Sequence, residues 1–124
     1  MFLLFFEAFV RLIRFEFYLR PRTFASLYKK VRNCPIRGKA ASNNEVERIC
    51  HAVDLACIWY WKEILCLQRS AATACMLKEH GAPAQLVLGA QQTPFKAHAW
   101  VELDGRVIND KPYVPEMYSV LDRC

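Results

Sequence analysis

Phe95-Lys96-Ala97-His98-Ala99-Trp100-Val101-Glu102-Leu103-Asp104-Gly105-Arg106-Val107-Ile108-Asn109-Asp110 is the stretch on which the fold turns. Its side chains alternate as those of a half-buried strand do. Ala97, Ala99, Val101 and Leu103 take one face, and His98, Trp100 and Glu102 take the other. Asp104-Gly105 is a strong turn pair, so the strand Phe95 to Leu103 is expected to return as another, Arg106 to Asp110. Lys111-Pro112 ends it, because proline has no N–H to give to a ladder. The turn decides which residues face each other. A two-residue loop pairs Leu103 with Arg106 and points Asp110 away from His98. A three-residue loop, with Gly105 left-handed in a bulge, pairs Glu102 with Arg106 and sets His98 opposite Asp110. The second register is expected, since it also matches opposite charges across the strands.

Upstream of this hairpin, Gln85 to Gly89 reads as one more strand, and everything before Pro83 reads as helix. A helix from Cys66 to His80 is closed by Gly81 in the left-handed conformation, with Pro83 just beyond and His80 as a capping cation. Asn44 with Glu47 three residues on forms a capping-box start for a helix whose apolar face is Val46, Ile49, Cys50, Val53 and Cys57. His51 falls off that face as an exposed helix residue. Thr23 caps a short helix to Arg32, with Phe24, Leu27, Tyr28 and Val31 as its stripe. A first helix, about Leu4 to Leu19, ends at Arg20-Pro21 and buries Phe5, Phe9, Leu12, Ile13 and Phe17. Ile36 to Asn43 is polar and irregular, and Val114 to Cys124 gives no clear element. Helices followed by a small antiparallel sheet make an α+β fold. The 124 residues are expected to form a single domain, with 1–43 as a helical N-terminal extension on a core of 44–124.

The net charge of +5 is concentrated early, at Arg11, Arg14, Arg20, Arg22, Lys29, Lys30, Arg32, Arg37 and Lys39. No recognition-helix or zinc motif accompanies it, so solvated helix faces are expected and nucleic acid is not. The six cysteines include no Cys-x-x-Cys pair, and the three histidines do not cluster with them. Reduced thiols in a cytoplasm are expected, with no metal and no cofactor. Met1 to Phe6 is apolar but has no preceding basic residue, is cut by Glu7 and is too short to span a bilayer. It is expected to pack on the domain or a partner rather than on a membrane.

Cys66 falls at the first turn of its helix, where unpaired N–H groups and the macrodipole favour an anion and so suit a nucleophilic thiolate. Lys62 and Arg69 are expected to add to that positive field. A cysteine between two leucines is ordinarily a core residue, and a lone strand histidine ordinarily a structural one. Together, in the order Cys66, His98, Asp110, they make the set that nucleophilic attack on an amide requires: thiolate, imidazole, and a carboxylate to orient it.

Three segments then carry a family resemblance. They are Cys66-Leu67-Gln68-Arg69-Ser70, Gly81-Ala82-Pro83-Ala84-Gln85-Leu86-Val87-Leu88-Gly89 and Pro94-Phe95-Lys96-Ala97-His98-Ala99-Trp100-Val101-Glu102. The chain resembles the peptidase part of lasso peptide biosynthesis B proteins, a branch of the transglutaminase-like cysteine enzymes, from about Cys66 to Asp110. The resemblance implies a transglutaminase-like or papain-like core with Cys66 as nucleophile, His98 as general base then acid, and Asp110 orienting it. It implies hydrolysis of a precursor between leader and core through a thioester; the backbone N–H of Cys66, pointing out of the helix start, is a candidate oxyanion donor on position alone. The length leaves no room for a leader-recognition domain, so it also implies a split type. Such a chain works with a separate leader-binding protein, on the precursor peptide, before an ATP-dependent cyclase. Phe5, Phe9 and Phe17 of the first helix are candidates for docking such partners. A transglutaminase-like acyltransferase and a non-catalytic adaptor are the alternatives.

Overall fold

The computed structural model describes residues 2–19, 24–92 and 94–124. Arg20, Pro21 and Thr23, with the stop and the cap expected there, lie outside the described residues. The elements run α1 (Phe2–Leu19), α2 (Phe24–Arg32), α3 (Asn43–Trp59), α4 (Cys66–Glu79), β1 (Gln85–Gln92), β2 (Phe95–Leu103), β3 (Arg106–Val107), α5 (Val114–Met117) and β4 (Ser119–Arg123). The four strands form one antiparallel sheet in the order β3-β2-β1-β4. This is the α+β layout expected from helices preceding strands.

The main core fills the space between the helices and one sheet face. Leu12 and Phe15 of α1, Leu27 and Val31 of α2, Ile49 and Val53 of α3 and Met76 and Leu77 of α4 meet Leu86 and Val101 there. A smaller cluster of Val87, Trp100 and Val114, backed by Tyr118 and Val120, covers the opposite face. The α1 stripe is rotated from the one expected. Phe15 is buried, Phe5 and Phe9 are half-buried, and Phe17 is 64% exposed. The apolar residues Phe2, Leu3, Phe6 and Val10 stay exposed beside it. Polar contacts clasp α1 to the end of α4: Arg11 pairs with Glu79, and Glu7 meets the His80 ring at 3.1 Å. No described helix is long and apolar enough to cross a membrane.

Helix ends follow local chemistry. The α3 N-cap lies two residues before the expected one: Ser42 Oγ accepts the Glu45 N–H at 3.2 Å and donates to Glu45 Oε1 at 3.3 Å. Gly81 ends α4 at φ +92°, and a Cβ there would lie 1.8 Å from the Lys39 carbonyl oxygen. The 36–43 segment therefore packs on the α4 terminus, with the Arg37 N–H donating to Lys78 O at 2.9 Å.

The hairpin differs from the expected register. Leu103 pairs with Arg106 and Glu102 with Val107, across a two-residue turn with Asp104 at φ +53° and Gly105 at φ +77°. Two left-handed residues form the primed turn that matches strand twist, so the three-residue bulge and the Glu102–Arg106 pair do not form. β3 stops at Val107, three residues short of the expected end. Ile108 still donates its N–H to Val101 O at 3.0 Å, but the Asn109 side chain then takes the Val101 N–H at 2.8 Å. That side chain replaces a strand carbonyl, and the chain bends off the sheet there. The tail supplies α5 and an edge strand, β4, which pairs with β1 around a bulge at Leu88/Gly89.

Candidate active site

Cys66 is the first residue of α4, and Leu65 before it supplies no side-chain cap. The helix-end N–H groups there are left to a ligand or to solvent. The cations expected to strengthen this end are already engaged. Lys62 Nζ lies 2.7 Å from Glu16, and Arg69 binds Asp54 at 2.8 Å, so neither offers a free charge to the thiol. Glu16 also receives bonds from Tyr60 Oη and Gln68 Nε2, and Gln68 donates to Leu12 O at 2.8 Å. The Lys62 ammonium, outweighing burial, holds the Glu16 carboxyl below its ordinary value. This buried group ties α1 to the approach into α4.

His98 stands on the second sheet face with Trp100 and Glu102, as the alternation requires. Trp100 and Glu102 do not face α4. The Trp100 indole N–H donates to Glu102 Oε2 at 2.9 Å inside the smaller cluster, and Arg123 Nε approaches Glu102 at 3.4 Å. His98, nearer the end of the sheet, stacks on Tyr118 at 5.2 Å and Trp100 at 6.0 Å between ring centres. Gly89 sits opposite His98 in the register. A Cβ on it would lie 2.7 Å from the Trp100 ring and 2.9 Å from Tyr118 Cβ, so only glycine admits this aromatic frame.

His98 Nε2 lies 2.7 Å from Asp110 Oδ2. The two meet even though the turn has two residues, because the bend at Asn109 re-aims Asp110. That bend is held from α4. Arg69 Nη2 donates to Asn109 O at 2.7 Å, and Asn109 Nδ2 donates to Ser70 Oγ at 3.0 Å. Ser70 Oγ in turn donates to Ala99 O at 3.1 Å. Asn109, missed in the sequence, is thus the buried link between the carboxylate and the helix that begins with Cys66. Partial burial pushes the Asp110 carboxyl up, but hydrogen bonds from His98 and the Lys111 N–H outweigh it and hold the group below its ordinary value.

Cys66 and His98 line one cleft of about 460 Å³, walled mainly by apolar side chains that include Tyr28, Leu67, Leu88 and Leu121. Cys66 Sγ makes no hydrogen bond among the described residues, so the two share a cleft rather than a bond. A cleft of about 530 Å³ between α1 and the 33–37 segment carries Arg11, Arg14, Lys30 and Arg37. Its one thiol, Cys34, faces Cys75 O and Glu79 rather than an imidazole. Burial pushes Cys50 and Cys57 up to about 11 and Cys75 up to about 12, which keeps them as inert thiols. All six cysteines are free. Among the described residues no three His, Cys, Asp or Glu side chains gather to hold a metal.

Known proteins place the chain. Part of it is 41% identical over 56 residues to the microcin J25-processing protein McjB of Escherichia coli. That match covers 45% of this chain and 27% of the relative's length, so the two correspond over less than a third of McjB. No solved structure matches. The model of the transglutaminase-like superfamily matches residues 9–123, nearly from end to end. With that match over most of its length, the chain belongs to the transglutaminase-like superfamily.

Proposed function

We propose that the chain is a cysteine peptidase that removes the leader from a lasso peptide precursor. The observation that carries this reading is the placement of Cys66 and His98 on one cleft, with Asp110 bonded to the far nitrogen of the ring. The similarity to McjB, a microcin J25-processing protein, supports the substrate class. Asp110 engages Nε2, which leaves Nδ1 to take the Cys66 proton. The thiolate then attacks the carbonyl that ends the leader. The C–N bond breaks as His98 returns the proton to the departing core amine, leaving a thioester on Cys66. Water, deprotonated by His98, hydrolyses the thioester, releasing the leader and restoring the thiol. Asp110 stabilises the imidazolium in both halves. In this reading the uncapped backbone N–H groups at the start of α4 hold the oxyanion.

McjB is a processing protein of a microcin, and this chain matches less than a third of its length. The chain therefore works beside a separate leader-binding protein in the cytoplasm, which raises the local concentration of the precursor. An ATP-dependent cyclase then uses the freed amine. Membership of the transglutaminase-like superfamily favours a second reading, in which an amine rather than water resolves the thioester. Mass spectrometry of precursor incubated with chain and leader-binding protein, with and without added amine, separates the two. Free leader acid in both samples supports hydrolysis, whereas a leader–amine adduct without free acid rejects it.

A further inference from the structure

The early basic residues do not all solvate separate helix faces. Arg11 and Arg14 of α1, Lys30 of α2 and Arg37 of the segment after it line one cleft of about 530 Å³, and Glu79 is the one carboxylate among its lining residues. Glu79 is already engaged by Arg11. Arg14, Lys30 and Arg37 are exposed, and among the described residues no carboxylate pairs with any of them. Like charges around one hollow repel one another, and nothing in the described fold offsets that repulsion. The frame that carries them is nevertheless fixed. Arg11 ties α1 to the end of α4, and the Arg37 N–H donates to Lys78 O at 2.9 Å.

The hollow also has an apolar wall, made by Phe15, Phe17 and Pro35, of which Phe17 is 64% exposed. Unpaired guanidinium and ammonium groups beside such a wall suit an anion that carries apolar groups of its own. Carboxylates meet guanidinium groups through paired hydrogen bonds, and arginine clusters read acidic peptide motifs in this way. A bilayer surface does not enter a concave site, and a nucleic-acid duplex presents phosphates with nothing to set against Phe17 and Pro35. We propose that this cleft docks a carboxylate-rich segment of the separate protein that delivers the precursor. The proposal rests on the reading in which such a partner exists, and adds the chemistry by which the two meet. α2 borders both clefts, with Lys30 in this one and Tyr28 in the one that holds Cys66 and His98. A partner seated here leaves the thiol's cleft open and keeps its bound precursor concentrated one helix away. Opposite charges on the two proteins also speed their encounter.

The test is calorimetry of the full chain against the cognate leader-binding protein, with the unaltered chain and with Arg14→Gln, Lys30→Gln and Arg37→Gln combined. The Kd of the triple variant is expected to rise about tenfold or more, the order of three exposed ion pairs lost together. The unaltered chain is expected to weaken by a similar factor between about 0.05 M and about 0.5 M salt, and the variant to show little salt dependence. Melting temperature, and the rate of cleavage of a short synthetic peptide spanning the leader–core junction, are expected to be unchanged, because the three side chains are exposed and lie outside the thiol's cleft. An equal Kd for the two chains overturns the proposal, as does a lack of binding to the leader-binding protein by the unaltered chain. A loss confined to free leader peptide, phosphatidylglycerol vesicles or duplex DNA, offered as separate probes, overturns it too. The salt series on the unaltered chain decides alone if the triple variant does not fold. If the unaltered chain cleaves nothing, the peptidase reading fails, while the Kd values still support or overturn the docking site.

Discussion

Asp110 and Asn109 are neighbours with different roles, and substitutions separate them. Asp110→Asn keeps the shape of the side chain but removes the charge that faces His98 Nε2. Leader release is expected to slow by about a hundredfold or more, with folding retained, as the turnover number and circular dichroism will show. Asn109→Ala removes the acceptor of the Val101 N–H and the donor to Ser70. It is expected to cost about 1–3 kcal/mol in thermal unfolding, because a buried N–H loses its partner, and to slow turnover as Asp110 loses its aim. Stability unchanged by Asn109→Ala would mean that water or a shifted carbonyl replaces the link. Gly89→Ala drives a methyl into the Trp100 ring and is expected to destabilise by about 1–3 kcal/mol.

At the scale of elements, β2 and the end of α4 were legible because period two and the Gly81 stop are written directly in the residues. The helical order was legible for the same reason. The β2–β3 register was not, because the expectation that His98 stands directly opposite Asp110, with a Glu102–Arg106 charge match beside it, argued for a turn that Asp104-Gly105 does not adopt. The route that brings Asp110 to His98 was hidden too. It depends on an Asn109 side chain standing in for a strand carbonyl, and no alternation pattern encodes that exchange. Arg69 stood out in the sequence as a cation near Cys66, and Ser70 only as part of a family motif. In the fold they tie the Asp110 segment to the helix that begins with Cys66. The cap of α3 was misplaced because Asn44/Glu47 and Ser42/Glu45 both carry capping-box spacing, and it is Ser42 that caps the helix. Ser42→Ala is expected to lower stability by about 1 kcal/mol, measured by thermal melting. The tail escaped notice because β4 is mostly exposed and its side chains are mixed.

Across the whole molecule, carboxylates join the layers. Glu16, beside Lys62, ties α1 to the loop before α4, and Glu79, beside Arg11, ties α1 to the end of α4. Lys62 holds the Glu16 carboxyl below its ordinary 4.5. Burial pushes Glu79 up, but Arg11 outweighs it and also leaves that group below 4.5. Asp110 likewise lies below its ordinary 3.8. Groups depressed in the folded state contribute stability that is present above their unfolded values and is lost as pH falls through the folded ones. Melting temperature is therefore expected to drop below about pH 4, with a shallower slope in Glu16→Gln. An equal slope in that variant would remove Glu16 from the account. The most direct test of the central claim is mass spectrometry of the precursor after incubation with the leader-binding protein and either the unaltered chain or Cys66→Ala. Free leader and free core are expected with the unaltered chain alone; the same products from Cys66→Ala would contradict Cys66 as the nucleophile.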